Sequence, residues 1–147
     1  MKALVVYDST FGNTEKIAMA VAAGLGSGTS AIHIKAVGAK DLDTVELLVI
    51  GSPVISGRSS RAVQDYLKGM TRQTAERLKV ASFDTRLPSA FAVMFGNAAT
   101  RTVKQLADLG SRVIAKPEGF IVQKQKGPLL DGEIDRAARW GSDLSKL

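Results

Sequence analysis

The sequence predicts one α/β domain: a parallel sheet with helices on both faces. Three observations predict it. Short, nearly continuous apolar runs recur along the chain, as strands do when both faces of a sheet are covered. Segments with apolar residues at helical spacing fall between those runs, and such alternation argues for right-handed crossovers between parallel strands. The size also fits: 147 residues, 45% hydrophobic, with no repeat, low-complexity segment or linker to divide them.

The elements follow in order. Residues 3–7 (ALVVY) read as the first strand, and residues 14–25 as a helix with Ile17, Val21 and Leu25 four apart. GLGSG at 24–28 follows a helix, not a strand, so it reads as a helix stop and turn. Residues 31–37 (AIHIKAV) alternate, with Ile32 and Ile34 against His33 and Lys35, which predicts an edge strand. His33 is the single histidine and reads as a surface residue, not a ligand or base. Residues 46–51 (ELLVIG) form the third strand. Residues 59–70 form a helix carrying Val63, Tyr66 and Leu67, capped by Ser59 or Ser60. Residues 79–83 (KVASF) give the fourth strand, with Phe83 inside it. Residues 89–109 place Phe91, Phe95, Ala98, Val103, Leu106 and Leu109 on one stripe, stopped by Gly110, although 90–95 (AFAVMF) also read as a strand. Residues 112–115 (RVIA) are the last strand. Residues 130–147 are the last helix, with Trp140 near its packing stripe beside Ile134, Ala137, Ala138 and Leu144.

Composition narrows the function. The absence of cysteine excludes disulfides, thiolate-held clusters and a cysteine nucleophile. No signal-length apolar region opens the chain and no apolar run is long enough to span a bilayer, so the expectation is a soluble cytoplasmic protein with no integral membrane segment. The net charge of +6 attracts anions, though ordinary solubility accounts for it equally well. No aromatic–basic interleaving or motif points to nucleic acid.

The chemistry concentrates in residues 5–18 (VVYDSTFGNTEKIA). A strand that ends in a small polar loop and feeds a helix is an anion site, because the first helical turn has unpaired N–H groups and a favourable dipole. Ser9, Thr10 and Thr14 add hydroxyls, Asn13 an amide, and Gly12 lets the backbone approach closely. A plain helix start needs one such residue. No Lys or Arg lies in the loop and no GxxxxGK[ST] occurs, which argues against a nucleoside triphosphatase. The loop suits a ligand whose phosphate is a handle, not the reacting group.

The stretch VVYDSTFGNTEKIAMAV (5–21) resembles the flavodoxin signature, through Val5, Val6, Tyr7, Ser9, Gly12, Thr14, Ala18 and Val21. VIGSPVISGRSS (49–60) resembles the family's second flavin loop, and ASFDTR (81–86) stands where the third should begin. PEGFIVQKQKGPLLDGEIDRAARW (117–140) resembles the end of small flavodoxin-like proteins. The resemblance implies a flavodoxin-like domain over residues 1–147: a five-stranded parallel sheet of order 2-1-3-4-5 with helices on both faces. The ligand then sits at the switch point between strands one and three, as is known for flavodoxin itself. The implied cofactor is FMN. Its phosphate would lie on Ser9, Thr10, Gly12, Asn13 and Thr14, with Phe11 in the same loop. The ring would meet Pro53, Val54, Ile55, Ser56 and Gly57 on one side and Asp84, Thr85 and Arg86 on the other.

Some features depart from the family pattern. The second loop has no aromatic residue, so Val54 and Ile55 are left to cover the ring. One missing aromatic contact costs about 0.5–1.5 kcal/mol, up to roughly tenfold in affinity. The Ser56–Gly57 dipeptide keeps the cheap peptide turn that the family uses beside the flavin. Asp84 either accepts a bond from the flavin or holds its own turn. Between Pro53 and Arg86 stand seven basic residues (Arg58, Arg61, Lys68, Arg72, Arg77, Lys79, Arg86) against three acidic ones (Asp65, Glu76, Asp84). That balance favours redox partner proteins with acidic docking surfaces and a raised reduction potential. The resulting expectation is an FMN-binding electron carrier reduced by a separate enzyme, with no catalytic or metal-binding side chains of its own. Two alternatives stay open. One is an FMN-dependent oxidoreductase acting on a quinone or porphyrin-like substrate, which would turn over without a partner protein. The other is a flavin-free binding module of the same fold.

Overall fold

The computed structural model describes residues 1–88 and 97–147. The choice between strand and helix at 90–95, with Phe91 and Phe95, lies outside the described residues. The elements run β1 (Ala3–Tyr7), α1 (Asn13–Leu25), β2 (Ser30–His33), β3 (Leu47–Pro53), α2 (Arg61–Gly69), α3 (Arg72–Glu76), β4 (Lys79–Arg86), α4 (Ala98–Asp108), β5 (Arg112–Val113), β6 (Glu118–Ile121) and α5 (Glu133–Leu144). The strands are all parallel, in the order β2-β1-β3-β4-β5, and β6 also pairs with β4. The fold class and strand order match the expectation.

The last strand departs from it. β3 fills one edge of β4, so β5 and β6 share the other edge as two pieces of a fifth strand. Between the pieces the partner chain advances from Val113 to Glu118 while β4 advances only from Val80 to Phe83. The surplus residues bulge out, and Pro117 among them has no N–H to give to a ladder. The predicted strand at 112–115 is therefore cut short, and the stretch at 118–121 is a strand that the sequence reading did not assign. At the opposite edge, β2 ends at His33 instead of running to residue 37. The His33 ring Nδ1 accepts the Lys35 N–H at 3.1 Å and starts a 3₁₀ turn over Ile34–Ala36. Ile34 stays buried within that turn, so the alternation outlives the strand.

Strand geometry divides the core. Ala3, Val5 and Tyr7 face α1 and α5, together with Val49, Phe83 and Phe120. Leu4 and Val6 face the other way, with Leu48, Ile50, Val63, Leu67 and Leu106 under α2 and α4. Trp140 packs where the sequence put it, edge-on to Phe83 and Phe120 at centroid distances of 6.1 Å. α1 and α5 lie backbone to backbone: a Cβ on Gly24 would sit 2.0 Å from the Ala138 carbonyl oxygen, and one on Gly141 would sit 2.3 Å from that of Val21. Gly24 is thus a packing residue inside α1, and the helix stop falls at Gly26, with φ of 113°. Among the described residues no helix is long and apolar enough to cross a membrane.

Candidate functional site

A cleft of about 400 Å³ opens where β1, β3 and β4 end. The loop after β1 is folded by its own polar groups. The Asp8 carboxylate accepts the Ser9 N–H at 2.9 Å, and the Ser9 hydroxyl accepts the Gly12 N–H at 3.0 Å. Gly12 takes a left-handed φ of 91°, and its carbonyl accepts the first helical bond of α1, from Lys16. The N–H groups of Thr10, Phe11, Asn13 and Thr14 have no internal acceptor among the described residues. They lie at the positive end of the α1 dipole. The Thr14 hydroxyl is buried and shares a 2.7 Å hydrogen bond with that of Thr85, tying the first loop to the end of β4. His33, set aside in the sequence, reaches this loop from behind: its Nε2 lies 3.4 Å from Asp8 Oδ1.

The second loop is a tight turn. Ile55 and Arg58 exchange N–H···O bonds of 2.8 and 3.1 Å around Ser56 (φ 52°) and Gly57 (φ 77°). Two left-handed residues in a two-residue loop make the type I′ geometry. At Ser56 this conformation is steric strain, since the residue carries a Cβ. Val54 donates to the Thr85 carbonyl at 2.9 Å, so the second loop is tied to the end of β4. Behind them the Ser52 hydroxyl accepts the Ser60 N–H, and Ser60 caps α2 by accepting from Val63.

β4 runs on through Asp84, Thr85 and Arg86, which were expected in the third loop, because they pair with β3 or β6, and Asp84 there holds its own surroundings. Its carboxylate, fully buried, accepts from Arg86 Nε at 2.6 Å and from the Ala99 N–H at the start of α4 at 2.9 Å. Burial pushes the Asp84 carboxyl up, and the Arg86 and Ala99 bonds pull against that. Arg86 is itself largely covered and lies against Gly119 of β6, so it is not a free charge on the rim. Of the residues expected around a ligand, the structure brings all but Gly12, Gly57 and Asp84 into the wall of the cleft.

Three wall residues were not foreseen: Leu87, Val122 and Gln125. Leu87 is half exposed directly after β4, an apolar residue where a turn residue would be ordinary. Val122 and Gln125 belong to a hairpin that leaves β6 and returns toward α5, closed by bonds from Gln123 to the Pro128 carbonyl and from Leu130 to that of Ile121. Phe11, Ile55 and Leu87 are 47%, 50% and 46% exposed, so three large apolar side chains face solvent around one opening. The arrangement offers unpaired N–H donors and dipole-favoured anion binding at one end and an apolar slot at the other.

The family described as "Flavodoxin domain" matches residues 4–114. No curated protein matches the chain. Among solved structures, a flavodoxin from the domain Archaea superposes with a TM-score of 0.80 at 22% identity, covering 99% of this chain and 97% of that one. Oxidised Flavodoxin 2 from Bacillus cereus gives 0.79 at 18% identity, over the whole of both chains. The flavodiiron protein from Giardia intestinalis gives 0.76 at 19% identity, covering 99% of this chain and 35% of that one.

Proposed function

The chain belongs to the flavodoxin domain family, and on that premise we propose that it binds FMN in this cleft and carries electrons between partner proteins. The observation that carries the proposal is the set of N–H groups at the start of α1 that are unpaired among the described residues, opening onto a cleft whose other walls include the apolar Pro53, Val54, Ile55, Leu87 and Val122. The residues fit the group. A Cβ on Gly12 would meet open space, so the backbone there is free to approach a phosphate. Val54, Ile55 and Leu87 line the cleft together and supply apolar cover for a ring. When bound, FMN supplies the redox chemistry. The protein's own residues hold it, orient it and set the charge around it.

Charge around the opening supports an acidic partner. Arg58 is exposed at the second loop, and Lys124 and Lys126 are exposed on the hairpin. Such a rim speeds encounter with a negatively charged surface, an advantage that falls as salt is added. A second reading rests on the half-exposed Ile55 and Leu87: an opening flanked by aliphatic side chains also admits a flat quinone or porphyrin-like substrate. Steady turnover with a quinone in the absence of any partner protein would favour that oxidoreductase.

The test is a fluorescence titration of flavin-stripped protein with FMN and, in parallel, riboflavin. The proposal expects strong quenching with FMN and much weaker quenching with riboflavin, because only FMN carries the phosphate. No binding of FMN at micromolar levels sinks both redox readings and leaves a flavin-free module.

A further inference from the structure

The loop at 9–14 contains no cation, yet a bound phosphomonoester carries close to two negative charges near neutral pH. Backbone donors and a helix dipole compensate for part of that charge. The hairpin after β6 brings the missing part. Its turn, closed by the Gly127 N–H on the Lys124 carbonyl at 2.9 Å, lies against the start of α1. Gly127 fits so closely there that a Cβ on it would stand 2.9 Å from Asn13 Oδ1. The neighbouring residues follow from that contact. Gln125 lines the cleft, and Lys126 extends over the Phe11 ring with its Nζ 6.0 Å from the centroid. An exposed lysine resting on an aromatic residue of the anion loop is held near that loop while its charge stays in water.

We propose that residues 122–129 form a fourth cofactor-holding loop, in which Lys126 supplies the positive charge against the FMN phosphate and so sets the preference for the phosphorylated flavin. This rests on the FMN reading. It adds a positioning device from the opposite end of the chain, tied to the first loop through Gly127 and Asn13.

The titration above, repeated with Lys126→Met and at several salt concentrations, tests it. The substitution is expected to weaken FMN binding by roughly two- to tenfold, as loss of one net hydrogen bond from a solvent-exposed side chain does. It should also flatten the salt dependence and leave riboflavin affinity as it was. Lys104→Met, on exposed α4 surface, removes the same net charge and should change neither ligand. Gly127→Ala keeps every charge but drives the hairpin off Asn13, and should also weaken FMN. Wild-type protein that prefers FMN, with a Lys126→Met variant equal to it in affinity and salt dependence, overturns the hairpin proposal alone. Wild-type protein that does not bind FMN overturns both.

Discussion

Glu133 shows how much one buried carboxylate holds in this chain. It accepts the Ile121 N–H at 2.7 Å and both Arg136 Nε and Nη2 at 2.8 Å, so it joins the end of β6 to the start of α5. Arg136 continues the network to Glu118 and the Gly119 carbonyl and lies over the Phe120 ring at 4.3 Å. The Arg136 bonds hold the Glu133 carboxyl below its ordinary value of 4.5, against the opposing effect of burial. A carboxyl with a lowered folded pKa gives stability that is fully present above the unfolded value and is lost as pH falls through the folded one. Glu133→Gln should therefore cost about 2–3 kcal/mol at neutral pH, and urea midpoints should show the gap closing as pH is taken below 4.5. None of this was legible in the sequence, because Glu133, Arg136 and Glu118 look like surface charges until the fold brings them to one place. Asp84 differs. The resemblance to a flavin loop singled it out, and its partners Arg86 and Ala99 became visible only in the fold.

The contact between α1 and α5 gives the sharpest test among the elements. Helix propensity alone says that alanine at position 24 or 141 should stabilise its helix by up to about 1 kcal/mol. The structure says the reverse, since each added Cβ would meet a carbonyl oxygen of the neighbouring helix well inside contact distance. Gly24→Ala and Gly141→Ala should each destabilise the protein by about 1–3 kcal/mol or more, measured by urea unfolding. The sign of the result decides between the two arguments. The helix stop expected within residues 24–28 falls at Gly26, which owes its role to its own backbone, whereas the packing role of Gly24 was not legible because its constraint comes from a distant segment. The same contrast runs through the other elements. β1, β3 and β4 were plain from their apolar runs. β2 was overextended because Ile34 is buried from a turn as well as from a strand. β6 was missed because EGFI carries only two apolar residues and follows a proline.

For the molecule as a whole, ligand and stability are linked. Any ligand that binds only the folded state raises stability by mass action, about 2.7 kcal/mol at a hundred times its Kd. Saturating FMN should raise the melting temperature of the stripped protein clearly, and an equal concentration of riboflavin should raise it less. The cleft residues of the first loop were legible because their clue is local, a cluster of small polar residues between strand and helix. Leu87, Val122 and Gln125 were not, because they are cleft residues only by virtue of where β4 and the hairpin end. The split edge of the sheet has a further consequence, for how chains meet one another. A long flat margin of unpaired N–H and C=O groups invites another sheet to add on. Here one margin is the four-residue β2, and the other consists of pieces of two and four residues, interrupted around Pro117. Among the described residues neither margin offers a long flat template, so edge-to-edge addition of a second chain is expected to be disfavoured.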